Sequence, residues 1–232
     1  MDIVERFKLF FRVMERNNLG KMIEEEKKSK KERSYKSTAL NIVIVSLIFA
    51  VITLIILFAI QPTVNEKTKA IIQEKFGSPE AGQLQDALAQ YELLMNSLTS
   101  EGVILSVIIQ TVSITVGFFI MHFSVFYLSK LLGGKATSRK QAYLFSLLYS
   151  SFLLAFTAIM LAIPITFIIN PTVAIIPSLL IYVSGIYYFY LAYKLIKEIQ
   201  EMDLLRTAGI IILTVVISMW ATLLLSSLTG AA

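Results

Sequence analysis

The chain has no cysteine, one histidine and one tryptophan among its 232 residues. Without cysteine there are no disulfides, no thiol catalysis and no thiolate zinc site. Charge is also scarce: Asp, Glu, Lys and Arg make up 16% of the chain, against about 25% in soluble domains. With 56% hydrophobic residues, that deficit puts most of the chain in lipid and leaves no soluble segment large enough for a core of its own. A cleavable signal peptide is not expected. The first apolar run begins near Ala39 behind a long charged segment, and at about 22 residues it exceeds a signal core, so it reads as an uncleaved anchor.

What is present is a succession of hydrocarbon-length apolar runs. They predict an all-α polytopic membrane protein with five transmembrane helices, the N-terminus cytoplasmic and the C-terminus outside. Residues 2–17 form an amphipathic helix, with Ile3, Val4, Phe7, Phe10, Phe11 and Met14 at helical spacing and Arg6, Lys8, Arg12 and Arg16 largely on other faces. It is suited to an anionic membrane surface or to packing on the protein's own cytoplasmic end. Residues 21–38 continue this cytoplasmic arm as a mixed-charge helix, either solvated or docking a partner. The first span, over 39–61, is ended by Gln61-Pro62, and at 1.5 Å per residue it can cross the roughly 30 Å core. An extracytoplasmic helical segment follows over 62–101, with Ser78-Pro79-Glu80 as a helix start. Its apolar stripe comprises Leu84, Leu88, Tyr91, Leu94, Met95 and Leu98.

A four-span domain fills 102–232: Val103 to Leu132, Ala142 to Ile169, Pro171 to Leu195 and Leu204 to Leu228. Gly133-Gly134 stop the first of these, Ser138-x-x-Gln141 is a capping box for the next, Asn170-Pro171 makes an outside turn and Asp203 caps the last span. Of the 21 Lys and Arg residues, 18 fall in segments assigned inside and only Lys67, Lys69 and Lys75 outside. Basic residues resist translocation, so this bias sets the orientation. Tyr182, Tyr187, Tyr188, Tyr190 and Tyr193 fit an inner aromatic belt.

No Asp or Glu lies inside any predicted span. His122 therefore lacks a carboxylate for acid–base work or proton relay, and it reads as a neutral, hydrogen-bonded residue near the interface. Gln110, Thr111, Ser113, Thr115, Ser146, Ser150, Ser151 and Thr157 suit packing and hydrogen bonding between spans. No nucleophile elbow is present. Gly133-Gly134-Lys135 is not a phosphate loop, because Ser129 stands where that pattern needs glycine and Ala136 follows the lysine. No catalytic, cofactor or metal residues are assigned, and neither an enzyme nor a nucleic-acid partner is expected. Lys135, Arg139 and Lys140 are candidates for anionic headgroups. Pro164 and Pro177 could kink neighbouring spans. That leaves a small transporter or channel for a neutral or lipid-like substrate as the alternative to an interaction protein.

The string His122-Phe-Ser-Val-Phe-Tyr-Leu-Ser-Lys130-Leu-Leu-Gly133-Gly134-Lys135 resembles the Yip family of five-span membrane proteins (Ypt/Rab-interacting proteins). Tyr149-Ser150-Ser151 is similar to the tyrosine-small-small element of that family's next helix, and Tyr190-Leu-Ala-Tyr193-Lys194 to its fourth-to-fifth span junction. The likeness covers roughly residues 100–228. This sequence departs from it at Phe152, where the family often has proline, and it lacks the Asp-Leu-Tyr-Gly-Pro-type motif of eukaryotic members. The resemblance implies membrane organisation or trafficking by partner recruitment. It also implies homo- or hetero-oligomers with other membrane proteins, and small GTPases as a partner class. The residues that would carry interaction or packing are His122, Lys130, Gly133, Gly134, Lys135, Tyr149, Pro164, Pro177 and Tyr193. The absence of cysteine and the abundance of Lys, Glu and Ile suit a prokaryotic, archaeal member in the cell membrane.

Overall fold

The computed structural model describes residues 3–29, 34–75, 89 and 100–228, and among these there is no strand. The helices are α1 (Ile3–Val13), α2 (Arg16–Lys28), α3 (Tyr35–Ile55), α4 (Gln61–Lys75), α5 (Ser100–Leu131), α6 (Ser138–Ile169), α7 (Ile175–Gln200) and α8 (Leu204–Leu228). Among the described residues, four stretches are long and apolar enough to cross a membrane: Tyr35–Ile71, Gly102–Leu131, Ser138–Ile169 and Ile175–Gln200. The expected helix start at Ser78 and the stripe from Leu84 to Leu98 lie outside the described residues.

The helix of the first span does not stop at Gln61-Pro62. A π-helical turn over Ile56–Ile60 joins α3 to α4, and the N–H of Gln61 bonds the carbonyl of Ile56. Proline brings no N–H and crowds the preceding turn. One wider turn just before it absorbs that mismatch, so the helix runs on into the polar segment.

Chain contacts divide the structure into two units, Met1–Val45 with Val112–Leu153 and Gly185–Ala232, and Ser46–Thr111 with Leu154–Ser184. In the first, every residue from Gln141 to Leu148 is buried, so this stretch of α6 is enclosed on all sides. Phe10 and Val13 of α1, Leu19 and Ile23 of α2, Ile42 of α3, Phe118 of α5 and Leu191, Leu195 and Ile196 of α7 are buried in the same unit. The N-terminal arm is thus part of the core of this unit. The placement also corrects the expected helix faces: Arg6 sits on the buried side of α1, whereas Val4 and Phe11 are 55% and 66% exposed.

In the second unit, Phe49 and Phe156 pair at 6.2 Å between ring centroids, and Gln61 Nε2 donates to Asn65 Oδ1 at 3.1 Å. Lys67 Nζ donates to the carbonyl of Ile168, a cation on the last carbonyls of α6 where the helix dipole favours one. Asn170 Oδ1 accepts the N–H of Thr172 at 3.0 Å, which makes the expected tight turn before α7. Helix α6 runs through the buried Pro164. Pro177, expected to kink a span, lies instead in the first turn of α7. There a missing N–H costs nothing.

Candidate functional site

His122, Ser129, Lys130, Gly134 and Lys135 are drawn into hydrogen bonds or ion pairs within the first unit. His122 is buried on α5, with its ring stacked toward Phe118 and Phe126 at 6.3 and 6.4 Å. Its Nε2 lies 3.2 Å from Ser138 Oγ, and that oxygen accepts the hydroxyl of Tyr35 at 2.6 Å. This is the hydroxyl partner that acid–base chemistry would need, but the chain of bonds stops there: Nδ1 of His122 is buried without a partner. Tyr35, Ser138 and His122 therefore link the start of α3 to α5 and α6.

The expected capping box is displaced. Thr137 supplies the first carbonyl of α6, to the N–H of Gln141 at 3.1 Å, so Ser138 is already helical and its hydroxyl is free for Tyr35 and His122. The side chain of Gln141 instead accepts from Gln200 Nε2.

Lys130 Nζ donates to the carbonyl of Gly134 at 2.9 Å and lies 5.8 Å from the Phe126 ring. Gly133 has φ +89°, the left-handed conformation expected of a helix stop. Gly134 donates to the carbonyl of Ser129 at 2.8 Å. Gln200 closes over it, accepting the N–H of Ala136 through Oε1 at 3.0 Å and that of Lys135 through its backbone carbonyl at 3.2 Å.

Basic residues expected to meet headgroups are engaged internally. Lys135 pairs with Glu201 at 2.9 Å and Lys140 donates to the carbonyls of Lys27 and Ser29 at 3.3 and 2.7 Å, closing the end of α2. Tyr149 is half-buried, 5.4 Å from Phe118, and Tyr193 is half-buried with its hydroxyl buried and unpartnered. Tyr188, expected in an aromatic belt, is buried against Phe152 at 4.5 Å. Pro164 and Pro177 belong to the other unit.

No protein-family model, curated protein or solved structure matches this chain.

The structure adds Asn41, gives Arg6 a buried role, and bears out Ser146, Ser150 and Ser151 as hydrogen-bonding residues between helices. Arg6 donates to Asn41 Oδ1 and to the carbonyl of Ser37 at 3.4 Å. Asn41 Nδ2 in turn donates to Ser146 Oγ at 3.0 Å, and Ser150 Oγ donates to the Asn41 carbonyl at 3.4 Å. Ser151 donates to the carbonyl of Phe10. The polar residues of α3 and α6 are thus the seat on which α1 rests. The sequence did carry a signal: Arg6, Phe10 and Val13 share a helical face, so a charge stood in line with two core residues.

At the rim, Glu201 (φ 54°) joins Lys27 at 3.2 Å and Lys135 at 2.9 Å. Hydrogen bonds from Lys135 and then Lys27 hold its carboxyl below the ordinary value of 4.5. A lowered folded value means that the clasp contributes fully above the ordinary value, and that its contribution fades as pH falls from there through the folded value. Hydrogen exchange in the last turn of α2, corrected for intrinsic rate, should therefore quicken on acidification through that window. Glu201→Gln should exchange at the faster rate at neutral pH as well. Equal protection in both proteins at neutral pH would show that the clasp does not hold α2.

Proposed function

We propose that this chain is an integral-membrane scaffold of the kind the Yip resemblance implies, organising membrane or recruiting partners at its cytoplasmic face. In this reading five helices cross the bilayer with the N-terminus inside. Support comes from the inside bias of 18 among 21 basic residues and from the 25 residues of α8, a rise of about 37 Å. Partners are anionic headgroups, further copies or other membrane proteins, and small GTPases as the class the resemblance implies, in a prokaryotic, archaeal cell membrane.

The observation that carries the role is the use made of the stretch from His122 to Lys135. Its polar groups bond to Ser138, Gly134, Gln200 and Glu201. That stretch is committed to internal bonds, α1 is seated on α3 and α6, and the outer faces of α1 and α2 are what the unit presents. On α2, Lys21, Glu24, Glu25 and Lys28 are exposed while Leu19, Ile23 and Glu26 are buried. A face of mixed charge suits recruitment by steering and selectivity more than by tight burial.

Crosslinking and pull-down from native membranes, with mass spectrometry of bound proteins and lipids, tests this reading. Deleting residues 1–36 would remove Phe10, Val13, Leu19 and Ile23, each at most 1% exposed, and so damage the core. Alanine at Lys21, Glu24, Glu25 and Lys28 leaves the packing intact. A reproducible partner set recovered with the wild type and lost with the alanine variant is expected. The same set from both proteins removes α2 as the docking face, and no reproducible set from either removes the scaffold reading.

Topology is testable on the same cysteine-free background. A membrane-impermeant maleimide added to intact cells should spare Lys21→Cys and Lys135→Cys and label Glu66→Cys. Labelling that puts residues 21 and 135 on opposite sides would overturn the orientation.

A further inference from the structure

Helix α1 has two apolar edges, and the fold covers only one of them. At about 100° per residue, Arg6, Phe10 and Val13 fall on one arc, and they are 8%, 0% and 0% exposed. Around the helix from that arc come the half-buried Met14 and Phe7, then Phe11 and Val4, which are 66% and 55% exposed. Next to these, on the same outward side, stand the exposed Lys8 and Arg12, with the exposed Glu5 beyond them. The outward surface of α1 is therefore an apolar strip bordered along its length by a cationic one.

The helix is held fast in this orientation. Tyr187 donates its hydroxyl to the Met14 carbonyl at 2.7 Å, Ser151 donates to the Phe10 carbonyl, and Arg6 donates to Asn41. Its side of the membrane follows from the proposed orientation, in which the N-terminal arm and its basic residues stay inside.

We propose that α1 lies in the cytoplasmic leaflet as an interfacial helix, its Val4–Phe11 edge among acyl chains and its Lys8–Arg12 edge against the phosphates of anionic lipids. The inference rests on the membrane orientation given above and deepens it by naming the face of α1 that meets the lipid. It does not depend on a protein partner. Interfacial helices sink their apolar side about 5–10 Å into the boundary, with lysine and arginine toward the headgroups. A bulky edge inserted into one leaflet alone is a physical means of organising membrane.

The full chain, reconstituted in vesicles of phosphatidylcholine with or without phosphatidylglycerol, tests this. A nitrobenzoxadiazole label is placed on Phe11→Cys, on Val4→Cys, or on Lys21→Cys as the solvent-facing control. Labels at 11 and 4 should be blue-shifted and quenched by acyl-chain nitroxides several-fold more than the label at 21. Adding phosphatidylglycerol should deepen the effect, and Lys8→Glu with Arg12→Glu should abolish that dependence. Quenching of the 11 and 4 labels by aqueous iodide, with no response to lipid nitroxides, would overturn the proposal. Shielding from both quenchers would overturn it too, since that marks a protein surface such as a second copy. Quenching indifferent to phosphatidylglycerol and to the two charge reversals removes the anionic-headgroup contact. The pull-down above reads α2 and its protein partners, so either result can fail while the other stands.

Discussion

Asn41→Leu should destabilise the first unit by about 3 kcal/mol, the upper end for taking a hydrogen bond from a buried charged group. Arg6 is 8% exposed and its guanidinium donates to Asn41 Oδ1, with the Ser37 carbonyl at 3.4 Å as a second and weaker acceptor. Leucine keeps asparagine's branching at Cγ, though it is bulkier, and offers no acceptor, so the cation would keep its burial and lose its main bond. Ser146 would lose a donor but keep its own bond to the Tyr143 carbonyl at 2.7 Å, a loss of only about 1 kcal/mol. Arg6→Met removes the cation and strands only the neutral Asn41 oxygen, for about 1–3 kcal/mol. The double variant, with both polar partners gone, should be more stable than Asn41→Leu alone. Unfolding followed in detergent, with hydrogen exchange over residues 3–13, checks the order of the three. Asn41→Leu no worse than Arg6→Met would show that Arg6 finds water or another acceptor and that the α1 seat is not built on this bond.

How much of this was legible depended on whether the controlling interaction was local. Apolar run lengths made the four candidate spans among the described residues legible, because lipid demands a minimum length and self-satisfied backbone whatever the neighbours. Gly133 and Asp203 were legible for the same reason. A left-handed helix stop is a property of the residue itself, and Asp203 Oδ1 accepts the Arg206 N–H at 2.8 Å as its position ahead of α8 suggests.

Pro62 misled because a proline normally ends a helix, whereas here a wider turn upstream absorbs it, and nothing in Ile56–Ile60 signals that turn. The α1 faces misled for a different reason. Phe10 and Phe11 are adjacent and equally apolar, and only the seat formed by Asn41, Ser146 and Ser151 decides which of them is covered. Glu201 was invisible for the same reason. A lone acid in a short linker gains meaning only when Lys27 and Lys135 arrive from distant parts of the chain.

The glycine pair at the end of α5 separates two kinds of constraint, and substitutions there should tell them apart. A Cβ on Gly134 would stand 2.5 Å from Gln200 Oε1 and 2.9 Å from the Ser129 carbonyl oxygen. The carbonyl is backbone, and Gln200 is fully buried and committed to Ala136 and Gln141, so neither neighbour yields cheaply. Gly134→Ala should cost about 1–3 kcal/mol in overpacking, with about 1 more if Gln200 releases the Ala136 N–H. Gly133 is different: a Cβ there has room, with Arg206 Nη1 nearest at 3.8 Å, but φ is +89°. Gly133→Ala should cost about 1–2 kcal/mol from conformation alone, and Gly133→Asn less, because asparagine tolerates the left-handed region. At Gly134 asparagine should be worse than alanine. A Cβ added at Gly117, Gly185 or Gly209 would meet nothing within 4 Å, so alanine at these helical sites should be neutral or stabilising by up to about 1 kcal/mol. Thermal unfolding of the set in one detergent reads the order directly. Gly134→Ala as benign as Gly117→Ala would mean that Gln200 does not close over the turn, and that the α5–α6 junction is looser than its hydrogen bonds imply.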